Sequence, residues 1–79
     1  MDFSTALQEL KAGQRISRAG WNGKKMWLQL IGAEHYDVPE ISEAYRILPW
    51  IGMKTADDCF VPWLASQTDI LAYDWGIAG

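Results

Sequence analysis

Apolar residues open the chain at Phe3, Ala6, Leu7 and Leu10. Steps of three and four lay one stripe along a 3.6-residue period, which predicts a core-facing helix over residues 2–12. Asp2 is placed to cap its start, and Lys11 with Gly13 suits its end. The period then shortens to two. Residues 14–19 read as a strand, and residues 24–31 as its return, with Met26, Leu28 and Leu30 on one face. Between them Asn22-Gly23 predicts a two-residue hairpin turn, because both residues tolerate positive φ. In that register Trp21 faces Lys24 and Arg18 faces Trp27. Arg18 and Trp27 then share a face, away from the Met-Leu-Leu side.

Periodicity fades over residues 32–46, where Glu34, Asp37, Glu40 and Glu43 surround Pro39. This reads as an acidic, solvated loop with one helical turn after Pro39. A strand of bulky residues follows over 47–55, then a turn at Ala56-Asp57-Asp58 and a return strand over 59–63. Pro62 cannot donate to a ladder and marks an edge or a strand end. Ser66, with Asp69 in the first turn, caps a short helix running to Ala72, and residues 73–77 supply a last strand. The pattern predicts one α+β domain over residues 1–79: an N-terminal helix packed on a small antiparallel sheet, and a short C-terminal helix.

Composition changes this picture in two ways. A chain of 79 residues buries only roughly 60–65% of its unfolded surface, so a lone monomer is marginal. Its single cysteine excludes an intrachain disulfide, and Cys59 with His35 falls short of a four-ligand zinc site. Self-association is the remaining common remedy, and five tryptophans favour it. No apolar run is long enough for a membrane span, and the start lacks signal-peptide character, so a cytosolic location is expected. The net charge of −3 argues against long DNA or RNA, which needs a broad basic face. One small anion in a locally positive pocket remains compatible with it.

The chemistry available is that of binding. The lone His35 has no partner set for nucleophilic catalysis, Asp57-Asp58 is explained by its turn, and no glycine-rich phosphate loop is present. No catalytic or metal-ligating residue is therefore nominated, and no cofactor. The aromatic residues stand out instead. Trp50 and Trp75 lie within strands and suit a core or an interface. Trp21 sits at a turn and Trp63 at a strand-to-helix junction, where a core role and base stacking are both open. Trp27 shares the expected face with Arg18. Arg18 and Lys54 are the candidate phosphate partners, with a surface salt bridge as the alternative. Asn22, Ser66, Thr68 and Asp69 add an amide, hydroxyls and a carboxylate that suit a ribose or a base edge.

These segments together resemble a known family. Arg-Ala-Gly-Trp-Asn-Gly-Lys at 18–24, Met-Lys-Thr-Ala-Asp at 53–57 and Val-Pro-Trp-Leu-Ala-Ser-Gln-Thr-Asp-Ile-Leu-Ala-Tyr-Asp-Trp at 61–75 are similar to the small phage proteins of the Thoeris anti-defence group, second type. The resemblance runs from Phe3 to Trp75, with the acidic loop as its variable part. It implies a non-enzymatic sponge: a homo-oligomer, often a tetramer, that sequesters a cyclic nucleotide second messenger in the cytoplasm of the infected bacterium. The ligands it implies are glycocyclic ADP-ribose and, for some members, cyclic dinucleotides. One departure is Asp58, where the family commonly has glycine. Two rivals differ in kind. A protein–protein inhibitor of a host enzyme would capture a protein and ignore nucleotides. A hydrolase would require a base or a metal that the composition scarcely provides.

Overall fold

The computed structural model describes residues 1–21 and 25–78. Helix α1 spans Phe3–Lys11, and the Asp2 side chain accepts a hydrogen bond from the Thr5 N–H. Its end closes in a Schellman arrangement: Gln14 N donates to Glu9 O and Gly13 N to Leu10 O. Gly13 takes the left-handed φ of 94° that this cap requires.

Five strands form one antiparallel sheet: β1 Ile16–Arg18, β2 Trp27–Ile31, β3 Trp50–Lys54, β4 Phe60–Pro62 and β5 Trp75–Ile77, in the order β4-β3-β2-β1-β5. Two short helices, α2 Pro39–Ser42 and α3 Gln67–Ile70, complete it, so the fold is α+β as expected. The acidic segment holds the helical turn after Pro39, preceded by a 3-10 turn at Ala33–His35. β3 starts only at Trp50 because Pro49 has no N–H to offer the ladder. β4 is an edge strand ending at Pro62, as its proline requires.

α1 lies on one face of the sheet. Ala6 and Leu10 of the helix, Ile16 of β1, Leu28 of β2 and Trp75 of β5 form the buried core, and Ile51 and Met53 pack against it. The opposite face carries the alternate residues: Trp27, Gln29 and the nearly buried Ile31 of β2, Trp50, Gly52 and Lys54 of β3, and Phe60 of β4.

One expectation fails. Ile16 pairs with Leu28, one residue away from the register of a two-residue turn, and Arg18 pairs with Trp75 rather than Trp27. The chain leaves the ladder early, in a 3-10 turn at Ala19–Trp21. Asp74 holds that turn: Ala19 N donates to its carbonyl at 3.0 Å and Gly20 N to its carboxylate at 2.7 Å. A one-residue slip moves side chains to the other face. Arg18 and Trp27 are therefore on opposite sides of the sheet. The Asn22-Gly23 tip and the Trp21–Lys24 pairing involve residues outside those described.

Candidate functional site

The nominated side chains gather in two places. The larger group lies where β1, β5 and α3 meet. Ser66 caps α3 by accepting the Asp69 N–H at 3.1 Å. That fixes the first turn of α3 and turns the Asp69 carboxylate toward Arg18, whose Nη1 donates to Oδ1 at 2.6 Å. Arg18 Nε also donates to Asp74 Oδ1 at 2.8 Å, and its Nη2 to Oδ2 at 3.5 Å. The Arg18 and Asp69 side chains are largely shielded from solvent. The hydrogen bond from Arg18 holds the Asp74 carboxyl below the ordinary 3.8, helped by the Gly20 N–H. Asp74, then Asp69, push the Arg18 guanidinium above its usual value.

Aromatic rings line the same corner. Trp75, 3% exposed, is the hub. Trp21 meets it edge-on at 5.4 Å between centroids, and Trp63 does so at 6.0 Å. Phe3 of α1 touches both Trp75 and Trp63. The Trp75 indole N–H donates to Asp69 O at 2.8 Å, which ties the rings to the ionic cluster. Trp21 and Trp63 are half-buried: each is packed on one side and open on another. Thr68 is exposed on α3. Asn22 lies outside the described residues.

Trp27 and Lys54 sit elsewhere. They are register partners on the face away from α1. Lys54 Nζ is held by Asp58 at 2.6 Å and by Lys25 O at 3.0 Å. The Arg15 guanidinium stacks 3.9 Å above the Trp27 ring and donates to Gln29 at 3.0 Å. Within one chain this group cannot act together with Arg18 and Trp21.

The sequence reading missed Asp74 and Arg15. Asp74 stands before a strand with no local pattern to mark it, and its partner Arg18 is 56 positions away. Arg15 was hidden by the register: a two-residue turn sets it opposite Leu30, whereas the Ile16–Leu28 pairing brings it beside Gln29 and Trp27.

The larger corner brings together aromatic rings and paired charges. It combines indole faces, one guanidinium and two carboxylates, all fixed by caps and ion pairs. Arg18 commits three hydrogen bonds to Asp69 and Asp74 among the described residues, out of roughly five N–H donors in a guanidinium. An open cleft of about 250 Å³ lies between the start of α1 and the end of α3, with Asp2 its one charged lining side chain.

These features define a small α+β domain with an aromatic, ion-paired corner. The chain belongs to the Thoeris anti-defense 2-like family, whose domain matches residues 1–78. It is 41% identical over 83 residues to a Thoeris anti-defense 2 protein of Bacillus phage SP01, covering 98% of this chain and 93% of that relative.

Proposed function

We propose that this chain is a phage sponge that binds and withholds a cyclic nucleotide immune signal inside the infected bacterium without cleaving it. Family membership supports a role against Thoeris defence. The observation that carries the sponge reading is the corner where Trp21 and Trp63 flank Trp75 beside Arg18 and Asp69. Flat rings there can stack on bases. Asp69 can accept ribose hydroxyls, and the remaining Arg18 donors can meet phosphate. Asn22, Ser66 and Thr68 complete the proposed contacts. The ligand class is glycocyclic ADP-ribose, with cyclic dinucleotides as a second class. The protein acts as a homo-oligomer, a tetramer.

Sequestration is a matter of affinity. A nanomolar Kd corresponds to roughly −12 kcal/mol. Two stacked bases at about 1–3 kcal/mol each supply part of it, and charged hydrogen bonds at about 1.5–3 kcal/mol each supply more.

Native mass spectrometry with a panel of cyclic nucleotides tests the reading, because it reports ligand and subunit count together. The expected result is an oligomer carrying intact ligand, recovered unchanged after heat denaturation. Linear or hydrolysed product would favour a hydrolase. Capture of a host protein with no nucleotide shift would favour a protein–protein inhibitor. Trp21→Ala and Trp63→Ala should each weaken binding by about 1–3 kcal/mol while the apo protein keeps its oligomeric state.

A further inference from the structure

We propose that Asp74 is a positioning residue for ligand capture: it sets Trp21 and Arg18 in their binding arrangement. The inference deepens the proposed function and rests on it. β5 lies beside β1, with Arg18 paired to Trp75. The residue leading into β5 therefore faces the three residues by which the chain leaves β1. Each of those three is held in turn. Ala19 N donates to the Asp74 carbonyl at 3.0 Å, Gly20 N donates to Asp74 Oδ2 at 2.7 Å, and the Trp21 ring meets Trp75 edge-on at 5.4 Å. Asp74 Oδ1 meanwhile accepts from Arg18 Nε at 2.8 Å. One carboxylate thus bridges the guanidinium and the turn that carries the indole.

Two observations give Asp74 this role rather than that of a ligand contact. Both of its carboxylate oxygens are engaged, and its side-chain bonds among the described residues run to Arg18 and Gly20. Asp69, by contrast, bonds Arg18 through Oδ1 alone among the described residues. The second observation is the space around Gly20. A Cβ there would stand 3.0 Å from Asp74 Oδ2 and 3.2 Å from Arg18 Nη2, so the turn approaches the ion pair more closely than a side chain readily allows. This contact fixes the backbone next to Trp21 in the free protein. A stacking ring that is already ordered removes much of the rotamer freedom that binding would otherwise have to freeze.

Titration of the full chain with glycocyclic ADP-ribose tests this in Asp74→Ala, at a temperature where wild type and variant are both fully folded. The expected result is a Kd raised roughly tenfold. With it should go the near-UV circular dichroism that Trp21 contributes without ligand, defined by the difference between wild type and Trp21→Phe. Asp74→Asn, whose amide oxygen can still accept the Gly20 N–H, should recover part of both. A carboxylate with a purely structural role would lower the melting temperature of Asp74→Ala but leave affinity and the Trp21 signal at wild-type values. That result overturns the proposal, as does tighter binding through a released Arg18. If Asp74→Ala does not fold, Gly20→Ala decides the matter, because its methyl crowds the Asp74 carboxylate away from the turn. The same two losses then support the role, and wild-type values for both overturn it. A wild type that binds neither glycocyclic ADP-ribose nor a cyclic dinucleotide removes the sponge reading and this role with it. Wild-type binding that the variants share unchanged removes the role of Asp74 alone.

Discussion

The two faces of the sheet are built from similar side chains and meet different fates. On the α1 side, Trp75 is enclosed by Phe3, Trp21 and Trp63 and anchored through its N–H to Asp69 O. Arg18 on that side is fixed between two carboxylates. On the other side, Phe60 lies between Trp27 and Trp50 and stays exposed, and only Tyr36 reaches Trp50 from the following segment. Arg15 there meets a ring and an amide, with no carboxylate partner among the described residues. An aromatic residue contributes to the fold of one chain only where another element closes over it. The helix closes one face and leaves the other more open.

Trp75→Ala should show this difference most strongly. Removing a buried indole leaves a cavity beneath α1 and takes one of two hydrogen bonds from the Asp69 carbonyl, which keeps that from Ala72 N. The loss is about 3–5 kcal/mol. Urea denaturation at fixed protein concentration measures it. A loss below about 1 kcal/mol would mean that the covered face is no better packed than the bare one.

Gly52→Ala probes the bare face at its tightest point. The new methyl must displace the Phe60 ring, and overpacking of this kind costs about 1–3 kcal/mol. The near-UV circular dichroism of the tryptophans should change with it. Full tolerance would show that Phe60 moves freely and that the aromatic face is not a preformed surface.

The sequence was most legible where determinants are local. The apolar period, Asp2 and Gly13 specify α1 together with both of its ends. Ser66 and Asp69 likewise announce α3, although the helix stops at Ile70 rather than Ala72. The β1–β2 register was misread because its determinant is remote. Asp74 draws Ala19 and Gly20 out of the ladder, and Asn22-Gly23 suggests a tighter turn than the chain makes before it. That single slip separates Trp27 and Lys54 from the corner that gathers Arg18, Trp21, Trp63 and Asp69. Nor does spacing alone tell Trp75 from Trp50. Both stand in strands, and which face the helix covers decides which ring is enclosed.

Acid should act mainly on the covered face. The folded Asp74 carboxyl titrates below its ordinary 3.8 because of Arg18 and the Gly20 N–H. Its contribution is therefore present above pH about 4 and is lost as pH falls through the lower folded value. In Asp74→Asn that dependence should disappear. The variant should be less stable than wild type at neutral pH, and its stability should fall less steeply under acid. Thermal melts between pH 7 and pH 2 check this. Parallel pH profiles would mean that the Arg18–Asp74 bond does not hold the corner together.

Asp58→Gly should give the smallest effect, at the edge of the bare face. Asp58 has a φ of 64°, in the region where a side chain strains the backbone and glycine does not. The turn around it is otherwise well bonded: Asp58 N donates to Thr55 O, and Cys59 N to Thr55 Oγ1. Against the strain stands the ion pair with Lys54, but the Asp58 side chain is 82% exposed, so water screens most of that pair. Lys54 also keeps its bond to Lys25 O. Relief of strain should outweigh both the lost pair and the added freedom of glycine in the unfolded chain, raising stability by less than about 1 kcal/mol. A measured decrease would reverse that balance. Lys54 would then depend on Asp58 for its position, and the rim of the bare face would be held by charge rather than by its rings.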